Sequence, residues 1–174
     1  ADIFDIEYWP LEQAKLSGSR RASLSGRVVV VTGGAGAIGK ATANAFKSEG
    51  AEVVLLDMSE ARLRQVARDI GGHSICCDVT DREEVNSTFR KICELCGGVD
   101  IVVSNAGVAS QGRIGEVSDE ALRSSFDVNF FAHQNIASVS VKIMQAQGIG
   151  GVLLFNVSKQ AVNPGPDFGP YGLP

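Results

Sequence analysis

This sequence predicts an α/β domain built on a doubly wound parallel sheet, with strands in the order 3-2-1-4-5. Three observations lead there. Apolar runs of strand length alternate five times with segments of helical pattern, glycine pairs and polar caps punctuate the boundaries, and a glycine-rich turn joins the first strand to the first helix. Such alternation implies right-handed crossovers and helices on both faces of the sheet. In this architecture a ligand binds over the carboxyl ends of the strands, where the order switches between strands 1 and 4.

The elements follow in order. Val28-Val29-Val30-Val31 is β-branched throughout, the pattern of a strand buried on both faces, so the first strand is expected over 28–31. Glycines at 33–39 close it, and an alanine-rich helix over 40–48 ends at Gly50. The second strand is predicted over 52–57, then a helix over 60–70 behind Ser59 as N-cap, stopped by Gly71-Gly72. A third strand over 73–78 leads to a helix that Thr80 or Asp81 caps and that runs to about residue 95. Gly97-Gly98 ends that helix, and the fourth strand covers 99–104. After a loop around 109–115, Ser118 opens helical sequence to about residue 147, in two segments. Gly150-Gly151 precedes the fifth strand, over 152–157.

Residues 1–25 differ in character. They begin aromatic and acidic, hold the only tryptophan, predict a short helix over 11–16, and end in a linker-like Ser/Gly/Arg stretch over 17–23. The expected organisation is therefore an N-terminal extension or linker, 1–25, ahead of one domain, 26–174. A start at Ala1 and an end at Pro174 suggest a piece of a longer polypeptide.

Bulk properties narrow the classes of function. The 174 residues, 44 % hydrophobic and 21 % charged, suit one soluble globular domain. A net charge of −4 provides no basic footprint for nucleic acid or anionic membrane. No apolar run approaches the ~20 residues of a membrane span, and no signal peptide opens the chain. Four cysteines without a secretory signal point to reduced thiols and a cytoplasmic location.

The turn Thr32-Gly33-Gly34-Ala35-Gly36-Ala37-Ile38-Gly39 satisfies G-x-G-x-x-G through Gly34, Gly36 and Gly39. Glycine permits a tight turn and a close backbone approach to a pyrophosphate, while the helix N-terminus offers free N–H groups and partial positive charge. Alone the motif is weak. Here a β-branched strand precedes it, a helix follows, and Asp57 ends the second strand 18 residues beyond Gly39, where a carboxylate can accept the adenosine ribose hydroxyls. The pattern marks a Rossmann-type dinucleotide site with NAD favoured over NADP, although Arg62 and Arg64 stand nearby in sequence. The bland alternative is a tight strand-to-helix turn with Asp57 as a loop acid.

From about residue 25 onward the motif order resembles the short-chain dehydrogenase/reductase family. Thr32, Gly33 and Gly39 match its T-G-x-x-x-G-x-G turn, with Ala37 in place of the middle glycine. Asp78-Val79 looks like its adenine-facing pair, and Ser104-Asn105-Ala106-Gly107 like its Asn-Asn-Ala-Gly. The resemblance implies a cofactor site of Gly33, Gly34, Gly36, Ala37, Ile38, Gly39, Asp57, Met58, Asp78, Val79, Asn105, Ala106 and Gly107. It implies catalytic roles for Tyr171 as acid/base, Ser158 as the hydrogen-bond partner of the substrate oxygen, and Asn129 as holder of a relay water. In the family's Tyr-x-x-x-Lys the cation favours phenolate over a phenol that titrates near ~10. Here the lysine would fall one residue beyond Pro174. Each of the three also has a structural alternative: loop packing for Tyr171, a strand-end cap for Ser158, an interhelical hydrogen bond for Asn129.

A narrower likeness runs through residues 7–16 and through Val157-Ser158-Lys159-Gln160-Ala161, which are similar to the dehydrogenase half of bifunctional rhamnulose-phosphate aldolase/short-chain dehydrogenases. It implies a covalently linked aldolase domain ahead of this one, and hydride transfer between NAD and a small alcohol or lactaldehyde-like hydroxyaldehyde. A different class of function, a dinucleotide-binding module without turnover, stays open beside it. An uncovered edge at the fifth strand and apolar helix faces predict a homo-oligomer. Cys93-x-x-Cys96 lies at a helix end, where the dipole disfavours thiolate, and Cys76 and Cys77 alternate on a strand, so no metal or redox site is expected. His73 and His133 read as structural, and strand alternation should turn Lys159 away from Ser158.

Overall fold

The structure, a computed structural model, describes residues 23–163 and 165–174. The helix expected over 11–16 and most of the linker lie outside the described residues. Five strands, β1 (Val28–Thr32), β2 (Glu52–Asp57), β3 (His73–Cys76), β4 (Ile101–Ser104) and β5 (Val152–Phe155), form one sheet in the order β3-β2-β1-β4-β5. All four pairings are parallel, as the predicted crossovers require. The helices between them are α1 (Ala37–Ser48), α2 (Glu60–Ile70), α3 (Arg82–Cys96), α4 (Asp119–Phe126) and α5 (Ala132–Gln147). A short α6 (Gly169–Gly172) closes the chain.

The valine run forms a strand because both faces of β1 are covered. Val29 and Val31 pack with Val53, Leu55 and Leu63 on the α1/α2 side, while Val28 and Val30 pack with Leu56, Phe89 and Ile136 on the α3/α5 side. At ~25 cal/mol per Å² these two layers supply most of the drive to fold. β5 differs: Val152, Leu154 and Phe155 each remain 45–47 % exposed.

Several boundaries move from the sequence expectation. The first helix starts at Ala37 rather than 40, taking Gly39 into its first turn. β3 stops at Cys76 and β5 at Phe155, each two residues short of its expected end at 78 or 157, because their partners end opposite them: Asp57 pairs with Cys76 and Ser104 with Phe155. The fourth strand begins at Ile101 rather than 99. Asp81, not Thr80, caps α3 by accepting from Glu83 N and Glu84 N, a motif worth ~1 kcal/mol. The long helical stretch divides where expected in kind but through a π turn, Asp127–Phe131, between α4 and α5. Among the described residues no helix is long and apolar enough to cross a membrane.

Candidate active site

A cleft of 680 Å³ opens over the carboxyl ends of β1, β4 and β5, within the size range of small-molecule sites. Its first wall is the glycine turn. Gly33 has φ +66°, and a Cβ there would come 3.0 Å from both Ala106 Cα and Asn105 Nδ2, so the turn lies directly on the end of β4. A Cβ on Gly39 would fall 2.2 Å from Gly33 O, which fixes the first turn of α1 against the loop. Gly36, the N-cap residue, has no side-chain cap, and the first helical bond runs from Lys40 N to Gly36 O. The N–H groups of Ala37, Ile38 and Gly39 therefore lack helical partners, and all three residues line the cleft. Gly34 is buried beneath the turn, its N–H on Leu56 O, and does not line it.

Asp57 ends β2 on the same wall. Its Oδ2 accepts from Ala35 N at 3.1 Å and its Oδ1 from Ser59 N at 2.9 Å, leaving a lone pair on each oxygen for a ligand. Arg62 Nε donates to Ser59 Oγ, and Arg64 pairs with Glu60, so each arginine has a partner within its own segment, 59–64. Asp57 is the only charged side chain lining the cleft among the described residues.

The floor is a polar junction of three strands. Thr32 Oγ1 accepts from Asn105 N and Ala106 N, both at 2.9 Å. Asn105 Nδ2 donates to Thr32 O at 3.0 Å, and its Oδ1 accepts from Asn156 Nδ2 at 2.8 Å. Ala106 and Gly107 continue the floor. Asn129 lines the cleft from the π turn rather than from a regular helix, and its carboxamide clamps a neighbouring loop. Val108 N donates to Oδ1, and Nδ2 donates to Val108 O and to Ser125 Oγ, at 2.9, 2.9 and 3.0 Å. Gly107 leaves room for that clamp, since a Cβ there would stand 3.2 Å from Asn129 Oδ1.

The far end gathers Ser158 and Tyr171. Ser158 caps a short 3-10 turn, Lys159–Ala161, accepting from Gln160 N at 3.3 Å, and its own hydrogen has no acceptor among the described residues. Tyr171 rides on α6, which is clasped to the loop after β4: Gly112 N donates to Asp167 O at 2.7 Å and Gly169 N to Gly112 O at 3.1 Å. Both residues line the cleft. Lys159 is exposed and does not, though for a different reason than strand alternation, since β5 has already ended.

Besides Gly34, three more residues expected at the cofactor stand outside this cleft. Met58 is 66 % exposed. Asp78 Oδ1 binds Thr80 N and Thr80 Oγ1 in the turn before α3, and Val79 is in the core. Two polar residues given no site role by the sequence are brought in: Asn156, and His133, read there as structural, whose Nδ1 lies 2.6 Å from Ser104 Oγ. A sequence clue to His133 existed, because it falls one turn after Asn129. His73 instead meets Glu52 at 2.7 Å. The cysteines stand elsewhere: burial pushes the Cys77 thiol up to about 11 and raises those of Cys93 and Cys96.

Comparison with known proteins agrees with this geometry. A short chain dehydrogenase family model matches residues 27–172. An uncharacterized oxidoreductase, YuxG, of Bacillus subtilis (strain 168) is 33 % identical over 98 % of this chain and 26 % of its own length. Galactitol 2-dehydrogenase of Agrobacterium fabrum (strain C58 / ATCC 33970) is 31 % identical over 79 % of this chain and 54 % of its own. The chain thus spans about a quarter and about half of these two relatives. The solved structure of an NAD+-bound xylitol dehydrogenase superposes with a TM-score of 0.81 at 26 % identity, over 87 % of this chain and 60 % of that one. The chain belongs to the short-chain dehydrogenase family of oxidoreductases.

Proposed function

We propose that this chain carries an NAD-dependent dehydrogenase site, which moves a hydride between the nicotinamide and a small polyol, alcohol or lactaldehyde-like hydroxyaldehyde. The observation that carries the reading is the layout of one cleft: unpartnered α1 amides and Asp57 at one end, Ser158 and Tyr171 at the other. The glycine turn suits a dinucleotide because its missing side chains leave room for a diphosphate at the backbone. The nicotinamide, when bound, supplies or accepts the hydride.

This chain's own residues would do the rest. Without a lining Lys or Arg, the diphosphate rests on the Ala37, Ile38 and Gly39 amides and the positive end of α1. Asp57 accepts from the adenosine ribose hydroxyls, and its charge, with Arg62 and Arg64 engaged elsewhere, favours NAD over NADP. Ser158 donates to the substrate oxygen and Tyr171 Oη gives or takes its proton. Asn129 fixes the Val108 loop beside them. Relatives named for galactitol and xylitol support a substrate rich in hydroxyls.

The same proposal takes the chain as the dehydrogenase portion of a longer cytoplasmic protein, with 1–25 as an extension from a preceding aldolase domain. Its support is that the Bacillus alignment takes in 98 % of this chain, against 79 % for the galactitol enzyme. The exposed β5 edge and the exposed Phe130 and Phe131 support self-association.

Titration with NAD+ and NADP+, beside a hydride-transfer assay on small polyols and hydroxyaldehydes, tests the reading. Both would be run on this chain and on one continued past Pro174. The expected result is tighter binding of NAD+ than of NADP+, and loss of turnover on Tyr171→Phe in the longer chain. Failure of both chains to bind NAD+ refutes the proposal, and binding without any turnover leaves a dinucleotide-binding module.

A further inference from the structure

We infer that His133 contacts the ligand from the cleft wall: its Nε2–H, held in place by the Ser104 hydroxyl, donates a hydrogen bond to a carboxamide or hydroxyl oxygen at the nicotinamide end of the dinucleotide. The inference rests on the dehydrogenase reading above and adds to it a residue that the family motifs do not mark.

Ser104, the last residue of β4, is 3 % exposed, and its Oγ has one hydrogen-bond partner among the described residues, His133 Nδ1 at 2.6 Å. A buried hydroxyl must find an acceptor for its proton. If Nδ1 carried hydrogen, the Ser104 proton would have nowhere to go. The pair is therefore satisfied only when Ser104 donates, Nδ1 accepts, and the ring proton sits on Nε2. Burial lowers the affinity of the ring for a second proton, which keeps it a neutral donor. Phe155 packs edge-on against the ring, with centroids 6.0 Å apart, and so fixes its plane.

Nε2 has no hydrogen-bond partner among the described residues, yet the ring lines the cleft, one turn beyond Asn129. A neutral donor in that position suits a positively charged nicotinamide, which an imidazolium would repel. The arrangement is that of a positioned ring whose inner nitrogen is tied down and whose outer nitrogen is available.

Nitrogen-15 NMR of the His133 ring in the unmodified chain, at neutral pH and with NAD+ added, tests this directly. The expected spectrum shows the Nε2–H tautomer, weakened in its preference by Ser104→Ala, and an NAD+-dependent shift at Nε2 larger than at Nδ1. In parallel calorimetry, His133→Phe lowers NAD+ affinity about tenfold and His133→Gln, which retains a donor, restores part of it. An Nδ1–H tautomer overturns the inference whatever NAD+ does. NAD+ binding with an unmoved Nε2 overturns it while leaving the dehydrogenase reading intact. No binding by calorimetry overturns both.

Discussion

The two ends of the cleft are built differently. The end made by Gly33–Gly39 and Asp57 grows from β1 and β2, whose strands are buried on both faces. Its turn is locked by contacts a single methyl would break, as at Gly39 against Gly33 O. The end with Ser158 and Tyr171 stands on turns beyond β5, a strand left largely exposed, and Tyr171 depends on a backbone clasp to Gly112. The glycine-turn end is thus shaped by the core itself, whereas the Ser158–Tyr171 end is held by segments hung on the sheet. Backbone amides can bind a diphosphate only where the backbone is fixed, and burial supplies that fixity.

Substitutions can break or sharpen this contrast. The largest effect is expected at Leu55, fully buried under the turn, where Leu55→Ala costs about 3 kcal/mol in urea unfolding. Next, Thr32→Val removes the oxygen that accepts from both Asn105 N and Ala106 N. It should cost about 2 kcal/mol, and amide exchange at those two residues should quicken. Asp57→Ala should reduce NAD+ affinity about tenfold, ~1.4 kcal/mol, and narrow the preference over NADP+ in the same titration. At the small end, Leu154→Ser on β5 should alter stability by less than ~0.5 kcal/mol while reducing self-association seen by light scattering. A Leu154→Ser penalty equal to that of Leu55→Ala would erase the contrast between the two ends.

The sequence made the first kind of structure legible and the second kind opaque, for a physical reason. A strand buried on both faces writes itself as a continuous valine run, so β1, its neighbours and the sheet order followed from the pattern alone. Strand length does not, because it is set by the partner: Cys77 and Val157 extend apolar runs beyond the last residue their neighbours can pair. Gly39 argued against a helix by propensity, yet α1 includes it because only glycine tolerates the approach to Gly33 O. Asp78 and Val79 carry a family likeness, and the turn into α3 uses Asp78 Oδ1 for Thr80 and takes Val79 into the core, a placement the motif does not spell out. The π turn at Asn129, and the pairs Ser104–His133 and Asn105–Asn156, join residues distant in sequence or depend on a local register that no pattern of residue types encodes.

The most direct test is a crystal structure with NAD+ bound. The account predicts the diphosphate within hydrogen-bond distance of the Ala37, Ile38 and Gly39 amides, and the adenosine ribose hydroxyls on Asp57. Density for the dinucleotide elsewhere, or an empty cleft in crystals grown at saturating NAD+, would contradict it.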